Sequence, residues 1–376
     1  MIPNQRDLFD IPDEVCYLNC ASQSPLLKSV CRAGEAGVLR KAQPWTSYRE
    51  AAAAEAEELR GLFGQLIGAT EDDVAIVPAT SYGVSVAARN LTMAEGQRVV
   101  TLEHQFPSNL HAWRVAAADC GAEHVPVARP QDGNWTRAVL DAIDETTAVT
   151  ALPPCHWTDG SAIDLEAVGV RCREVGSAFV IDATQATAAM PIDVKKLQPD
   201  FLVSSAYKWL LCPYTLGFLY VAPHRQDGRP IEFHEWGVAA KEARGDAPDA
   251  DPRRHGARRF DMGERNNPIN LTMAVTALKQ LVAWGPENVT ETLRPLTDRV
   301  ADHAAERGYA VPPADHRVGH FIGVRLPGGP PKNVAERLAA ENVHISLRAD
   351  ALRVSPYLFN TAEDIDRFFA ALDALS

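Results

Sequence analysis

The chain has 376 residues, room for one large and one smaller domain at roughly 100–200 residues each. Hydrophobic residues make up 46% and charged residues 23%, the balance of an ordinary globular protein. The formal net charge of −12 argues against a general nucleic-acid or anionic-membrane binder, because both need basic surfaces. The N-terminus, MIPNQRDLFDIPDEVCYLN, lacks the basic start and apolar core of a secretory signal. No apolar run reaches the length that crosses a bilayer. Seven scattered cysteines show no CxxC spacing, so no metal site is expected, and a reduced, cytoplasmic chain is the simplest reading.

In chain order, 26–42 and 48–67 read as helices. An alternation then begins with VAIVP (74–78) and a helix from Ser81. RVVTL (98–102), a helix from about Pro107, EHVPV (123–127), a helix over 134–144 and AVTAL (148–152) follow. A helix over 164–175, AFVID (178–182), FLVSS (201–205) and TLGFLYVA (215–222) complete it. Strands alternating with helices predict an α/β domain whose mostly parallel sheet is buried on both faces. The charged, Gly- and Pro-bearing stretch 223–258 predicts a long surface excursion. Helices at 268–285 and 287–308, HFIGVRL, a helix near 332–341, VHISL, ALRVS and a helix from Thr361 predict a smaller α+β domain. The expected division is an N-terminal segment 1–25 at the mouth of the site, a large domain 26–257, and an interface loop with the small domain over 258–376.

Two residues carry the strongest chemical signal. Asp182 ends the apolar run AFVID, at the carboxyl edge of a parallel sheet, where ligands of such sheets bind. Lys208 follows another apolar run and lies between Tyr207 and Trp209, surroundings that desolvate an amine and lower its pKa. Taken singly, each has a plainer reading: Asp182 as a turn residue, Lys208 as a snorkelling strand end. Taken together they match the two needs of pyridoxal 5'-phosphate (PLP) chemistry. A lysine forms the Schiff base, and an acid keeps the pyridine nitrogen protonated.

Eight segments in order resemble the class V aminotransferases, a branch of the fold-type I PLP enzymes that includes cysteine desulfurases, kynureninases and epimerase-like or C–S lyase relatives. They are YLNCASQSPL (17–26), PATSYG (78–83), EHQFPSNLHAW (103–113), CHWTDGSAIDL (155–165), VIDATQA (180–186), SSAYKW (204–209), RRFDMGERNN (258–267) and LRVSPYLFNTAEDIDRF (352–368). FPSN and FDMGERNN look closest to the epimerase-like and C–S lyase subgroup.

The resemblance implies a fold-type I PLP-transferase: a large domain on a mostly parallel sheet and a smaller C-terminal α+β domain. It implies that Lys208 forms the Schiff base and shuttles the Cα proton, with Asp182 on the pyridinium nitrogen and Gln185 on the phenolic oxygen. Phe106 would stack on the ring. Thr80, Ser81, Ser205 and Tyr207 would hold the phosphate, the first two at a helix start whose free N–H groups and dipole favour an anion. Arg353, with Arg348 as a second candidate, would clamp the substrate carboxylate through its planar fork. Asn19, Ala21 and Ser22 would line the mouth, and His156 would make a polar contact to ring or substrate. Glu264, Arg265 and Asn267 would belong to a loop that enters the partner's site, in a homodimer with shared active sites.

The pattern departs from the desulfurases in one place. They carry a nucleophilic cysteine shortly before the carboxylate arginine, whereas HISLRADALRVS (344–355) has none. Transamination, β-elimination and epimerisation remain, all starting from loss of the Cα proton, with transaminase favoured as the family label. A non-catalytic PLP-binding sensor is a further reading. A dinucleotide-dependent dehydrogenase is disfavoured, because no GxGxxG follows the first strand.

Overall fold

The computed structural model describes residues 1–46, 48–234 and 256–375. Of the expected excursion over 223–258, residues 235–255 lie outside this description.

The chain opens with a short strand, β1 (Cys16–Tyr17), and two helices, α1 (Lys28–Ala42) and α2 (Tyr48–Ile67). The alternation then runs β2 (Val74–Val77), α3 (Thr80–Asn90), β3 (Arg98–Leu102), α4 (His111–Cys120), β4 (Glu123–Val127), α5 (Trp135–Ala142), β5 (Thr147–Leu152), α6 (Leu165–Val175), β6 (Ala178–Asp182), a one-turn helix α7 (Val194–Leu197), β7 (Phe201–Ser205) and β8 (Gly217–Val221). These strands form one seven-stranded sheet in the order β2-β8-β7-β6-β5-β3-β4. All neighbours are parallel except β8, which runs antiparallel to both β2 and β7. β2, β6, β7 and β8 are buried along their whole length, which is why their sequences are apolar runs and not alternations. β4 is one of the two edge strands. It is partly exposed and carries Pro126, which cannot donate to a ladder.

A second sheet follows: β9 (Ile322–Val324), β11 (Ser346–Arg348) and β12 (Ala351–Val354), antiparallel in the order β11-β12-β9. Between them β10 (Val343–His344) pairs in parallel with β1, so the N-terminal segment joins this smaller unit. The VHISL run is therefore two strands with different partners. Helix Pro268–Trp284 packs on α1 and α2 and shares the large core through Leu271, Leu278 and Leu281. The small core takes Val300 and Ala304 from the second half of helix Pro286–Glu306, with Leu338, Ile365 and Phe368. The large core thus follows the chain past residue 258. No helix among the described residues is long and apolar enough to cross a membrane.

Candidate active site

The carboxyl ends of β5, β6 and β7 and the start of α3 enclose a cavity of about 110 Å³. Its lining includes Thr80, Gln105, Phe106, Cys155, Trp157, Asp182, Thr184, Gln185, Ser205, Tyr207 and Lys208.

Lys208 is placed by a tight return of the chain. Ala206 N donates to Leu216 O and Cys212 N to Ala206 O, both at 3.0 Å, and the Ser24 hydroxyl caps the Lys208 carbonyl. The side chain is buried, with Nζ 5.2 Å from the Phe106 ring centroid and 5.5 Å from that of Tyr207. Burial and then the nearby Arg353 pull its pKa down to about 8, against the opposing pull of Asp182. Asp182 is the last residue of β6. Burial pushes its pKa up, countered by hydrogen bonding to Thr184, whose N–H donates to Oδ1 at 3.1 Å, and by Lys208. A cationic ring nitrogen at this carboxylate would relieve that burial cost.

At one end of the cavity the hydroxyls cluster. Thr80 Oγ1 lies 2.8 Å from Thr184 Oγ1 and 2.6 Å from Ser205 Oγ, and Ser205 N donates to Thr184 Oγ1 at 3.2 Å. Thr80 is the first residue of α3, so the N–H groups of the first turn have no partner within the helix. Hydroxyls converging at a helix start suit a phosphate. Gln105 Nε2 is buried beside them with no hydrogen-bond partner among the described residues, an orphan that a polar ligand would satisfy. These features fit PLP: an amine, an acid, an anion cradle and the Phe106 ring.

Behind Trp157 in the cavity wall lie two arginines. Arg353 Nη2 donates to Ser22 Oγ at 2.6 Å and Nη1 to the Trp157 carbonyl at 2.8 Å. Arg348 Nη2 donates to the same Ser22 hydroxyl at 2.9 Å, with its guanidinium 5.9 Å from the Trp157 ring. Burial lowers the pKa of both, and Arg348 adds to the effect on Arg353. Among the described residues neither has a carboxylate partner, and both Nε atoms are buried and unpartnered.

Several expected residues sit elsewhere. His156 does not face the cavity. Its Nε2 meets the Glu103 carbonyl at 3.2 Å, its Nδ1 meets Thr158 Oγ1 at 2.7 Å, and its ring stacks on Trp135 at 5.3 Å. Burial pushes its pKa down to about 4, so it is a neutral packing residue and not the expected polar contact. Ser81 is exposed and opens into a separate hollow between α3 and α4, which leaves only its N–H directed along the helix start. Tyr207 stacks on Tyr214 at 4.1 Å, and among the described residues no hydrogen bond joins it to the Thr80 cluster. Its phenol instead feels Asp182, Arg348 and Arg353.

Asn267 Oδ1 caps helix Pro268–Trp284, accepting from Ile269 N and Asn270 N, and lies outside this chain's cavity. Arg265 is buried against Asp261 at 2.8 Å, whereas Glu264 is exposed. Gln185 is in the cavity wall, with Nε2 donating to Ala21 O and Oε1 accepting from Trp209 Nε1, each at 2.9 Å. One amide hydrogen of Gln185 remains for a ligand. Ala21 therefore acts through its carbonyl. Asn19 pairs with Ser355 through the backbone, and neither Asn19 nor Ala21 lines the cavity.

Thr184, Gln105 and His320 were not anticipated. His320 Nε2 donates to the Gln185 carbonyl at 2.6 Å and its ring packs edge-on against Trp209 at 4.7 Å. Thr184 follows Asp182 in the turn at the carboxyl edge, the one signal that could have marked it.

An aspartate at the end of one parallel strand and a lysine just past the end of its neighbour, beside a hydroxyl cradle, define a fold-type I PLP enzyme. The chain belongs to the aminotransferase class-V family, whose model matches residues 17–368. It is 28% identical over 366 residues to an uncharacterized aminotransferase of Bacillus subtilis, covering 97% of this chain and 95% of that one. It is 23% identical to isopenicillin N epimerase of Streptomyces clavuligerus, covering 85% and 84% respectively. Among solved structures, the fold is similar to an apo cysteine desulfurase of Thermococcus onnurineus, with TM-score 0.83, 20% identity and coverage of 100% and 98%. It is also similar to the cystine C–S lyase C-DES in complex with cysteine persulfide, with TM-score 0.86, 15% identity and coverage of 97% and 98%.

Proposed function

We propose that this enzyme acts on a small amino acid, with Lys208 as both cofactor-holding amine and Cα base, and that transamination is its reaction. The observation that carries this reading is a pair of arginines, without a carboxylate partner among the described residues, that stand behind Trp157 in the cavity wall and whose charge is felt by a buried lysine of lowered pKa. When bound, PLP supplies the electron sink for a carbanion at the substrate Cα. Asp182 would hold the ring nitrogen's proton. Thr80, Thr184, Ser205 and the first N–H groups of α3 would bind the phosphate. Arg353, helped by Arg348, receives the amino acid's carboxylate and turns its Cα–H bond toward Lys208. Lys208 Nζ, whose burial favours the neutral amine, would then take the Cα proton.

Persulfide chemistry is disfavoured on this reading. Only Ala349 and Asp350 separate β11 from β12, so no loop bearing a cysteine precedes Arg353. Cys155 lines the cavity but is buried, and its thiol is pushed up by burial. β-Elimination at a C–S bond and epimerisation use the same first step and are the alternatives. All seven cysteines are unpaired, which supports a reducing, cytoplasmic setting. We also infer a homodimer. The hollow between α3 and α4, with Val115 60% exposed, adjoins the cavity at Ser108 and is a surface a second copy would cover.

The test is a screen of amino acids against the PLP-loaded protein. A keto acid formed only when an amino acceptor is present supports transamination. Keto acid and a released thiol or sulfide without an acceptor point to a lyase, and loss of optical purity alone points to an epimerase. A spectrum unchanged by every amino acid would leave the binding-only sensor.

A further inference from the structure

Asp159 is completely buried, yet it lies outside the cavity. Its Oδ2 accepts from Arg129 Nη1 at 2.7 Å, beyond β4, and from Arg325 Nη2 at 2.9 Å, beyond β9. Its Oδ1 accepts from the Ser161 N–H and hydroxyl at 3.1 and 2.8 Å. Burial pushes its pKa up, but Arg129, then the neighbouring His156 and Arg325, outweigh it and bring it below the usual carboxylate value. Arg325 reaches on to Asp350, with Nε 3.1 Å from Oδ1, in the turn joining β11 to β12. The same turn separates Arg348 from Arg353.

The backbone makes a second fastening. The Asp159 carbonyl accepts from Gly323 N at 3.0 Å, and Gly323 is the cross-strand partner of Arg353. Two residues earlier, the Trp157 carbonyl holds the Arg353 guanidinium at 2.8 Å. The stretch Trp157–Asp159 thus grips Arg353 at its tip and at its strand. The approach is close enough to demand glycine: a Cβ on Gly323 would fall 2.5 Å from Asp159 Cβ and 2.7 Å from its Cα.

We propose that Asp159 is a positioning residue. Through Arg325 and Gly323 it sets the register of β9, β12 and their hairpin, and so fixes where the Arg353 guanidinium stands relative to Lys208. It touches neither substrate nor cofactor, and it governs how tightly the amino acid's carboxylate is received. The inference rests on the reading of Arg353 as the carboxylate residue.

The experiment uses PLP-loaded protein carrying Arg325→Gln, Arg325→Lys, Gly323→Ala or Arg353→Lys. Asp159→Asn is a weaker probe, because it strands two guanidinium groups and can fail to fold. Arg325→Gln leaves Asp159 still paired with Arg129. The expected result is a KM for the amino acid raised about tenfold in Arg325→Gln and Gly323→Ala, with kcat within about threefold. The cofactor absorption band and borohydride labelling of Lys208 stay as in the parent, and Arg325→Lys recovers most of the lost affinity. A purely architectural role would lower the melting temperature without this split. An unchanged KM in folded Arg325→Gln overturns the proposal, as does a KM that rises only in step with cofactor loss. If Arg353→Lys itself leaves KM unchanged, the carboxylate reading has failed instead.

Discussion

Arg348 and Arg353 donate to one and the same hydroxyl, that of Ser22, at 2.9 and 2.6 Å. Two cations converge on a neutral group, with no acid to balance them among the described residues. Elsewhere buried arginines are matched: Arg60 makes two bonds to Asp261, at 2.9 and 2.6 Å. On the proposed reading the unbalanced pair is a seat for the substrate's carboxylate.

That seat predicts unequal effects for the two arginines. Arg353 is fully buried and its planar fork is fixed by Trp157 and Ser22. Its replacement by lysine keeps the charge but loses the fork, and should raise KM by about 10- to 100-fold. Arg348 is half-buried, so Arg348→Lys should raise KM less. Steady-state kinetics on any accepted amino acid compare them, and equal effects would contradict the ranking.

Lys208 predicts a pH dependence for cofactor capture. With a pKa of about 8 in the cofactor-free protein, the attacking neutral amine is scarce below that pH. The rate of PLP capture should rise about tenfold per pH unit up to pH 8 and then level off. Stopped-flow absorbance at fixed PLP concentration measures it, and a plateau reached only near pH 10 would mean that burial does not activate this lysine. Lys208→Ala should give no borohydride-stable adduct at any pH.

Asp182→Asn should still load PLP on Lys208, because the phosphate cradle and the amine are untouched. It should lose about 10²-fold or more in kcat, since an amide cannot stabilise a cationic ring nitrogen. A variant with near-parental kcat would remove Asp182 from the electron-sink role.

Two histidines predict acid sensitivity. Burial holds both His156 and His320 neutral, with pKa values of about 4 against an ordinary 6.5. Between those values the unfolded chain binds more protons than the folded one, so stability falls as pH drops from 6.5 toward 4. Each group contributes on the order of 3 kcal/mol to that loss. His320→Gln keeps a donor for the Gln185 carbonyl and should flatten the fall of melting temperature over this window. An unchanged slope would mean that His320 titrates normally.

Much of the fold was legible because its central strands are buried on both faces. RVVTL, AFVID and FLVSS have the bounds the apolar runs suggested. Asp182 and Lys208 were legible because strand ends at a carboxyl edge are where such sheets bind ligands. The phase of a loop was not. Cys155 and Trp157 face the cavity while His156 and Thr158 face the opposite hollow, and nothing in CHWTDG states which set turns inward. Asn267 also carried a local signal, since an asparagine before proline marks a helix start. Arg265 stands four residues after Asp261, and only the tertiary structure shows that this aspartate is the buried anchor shared with Arg60.

The Ser22 contacts also set the order of biogenesis. Ser22 lies 326 and 331 positions before the two arginines it receives. On a ribosome the cofactor pocket can form once β8 has emerged and joined β2 to β7, while the remainder is still being synthesised. The seat for the amino acid cannot, because one wall is made first and the other almost last. A nascent chain would therefore acquire the means to hold its vitamin before it can recognise what the vitamin is for.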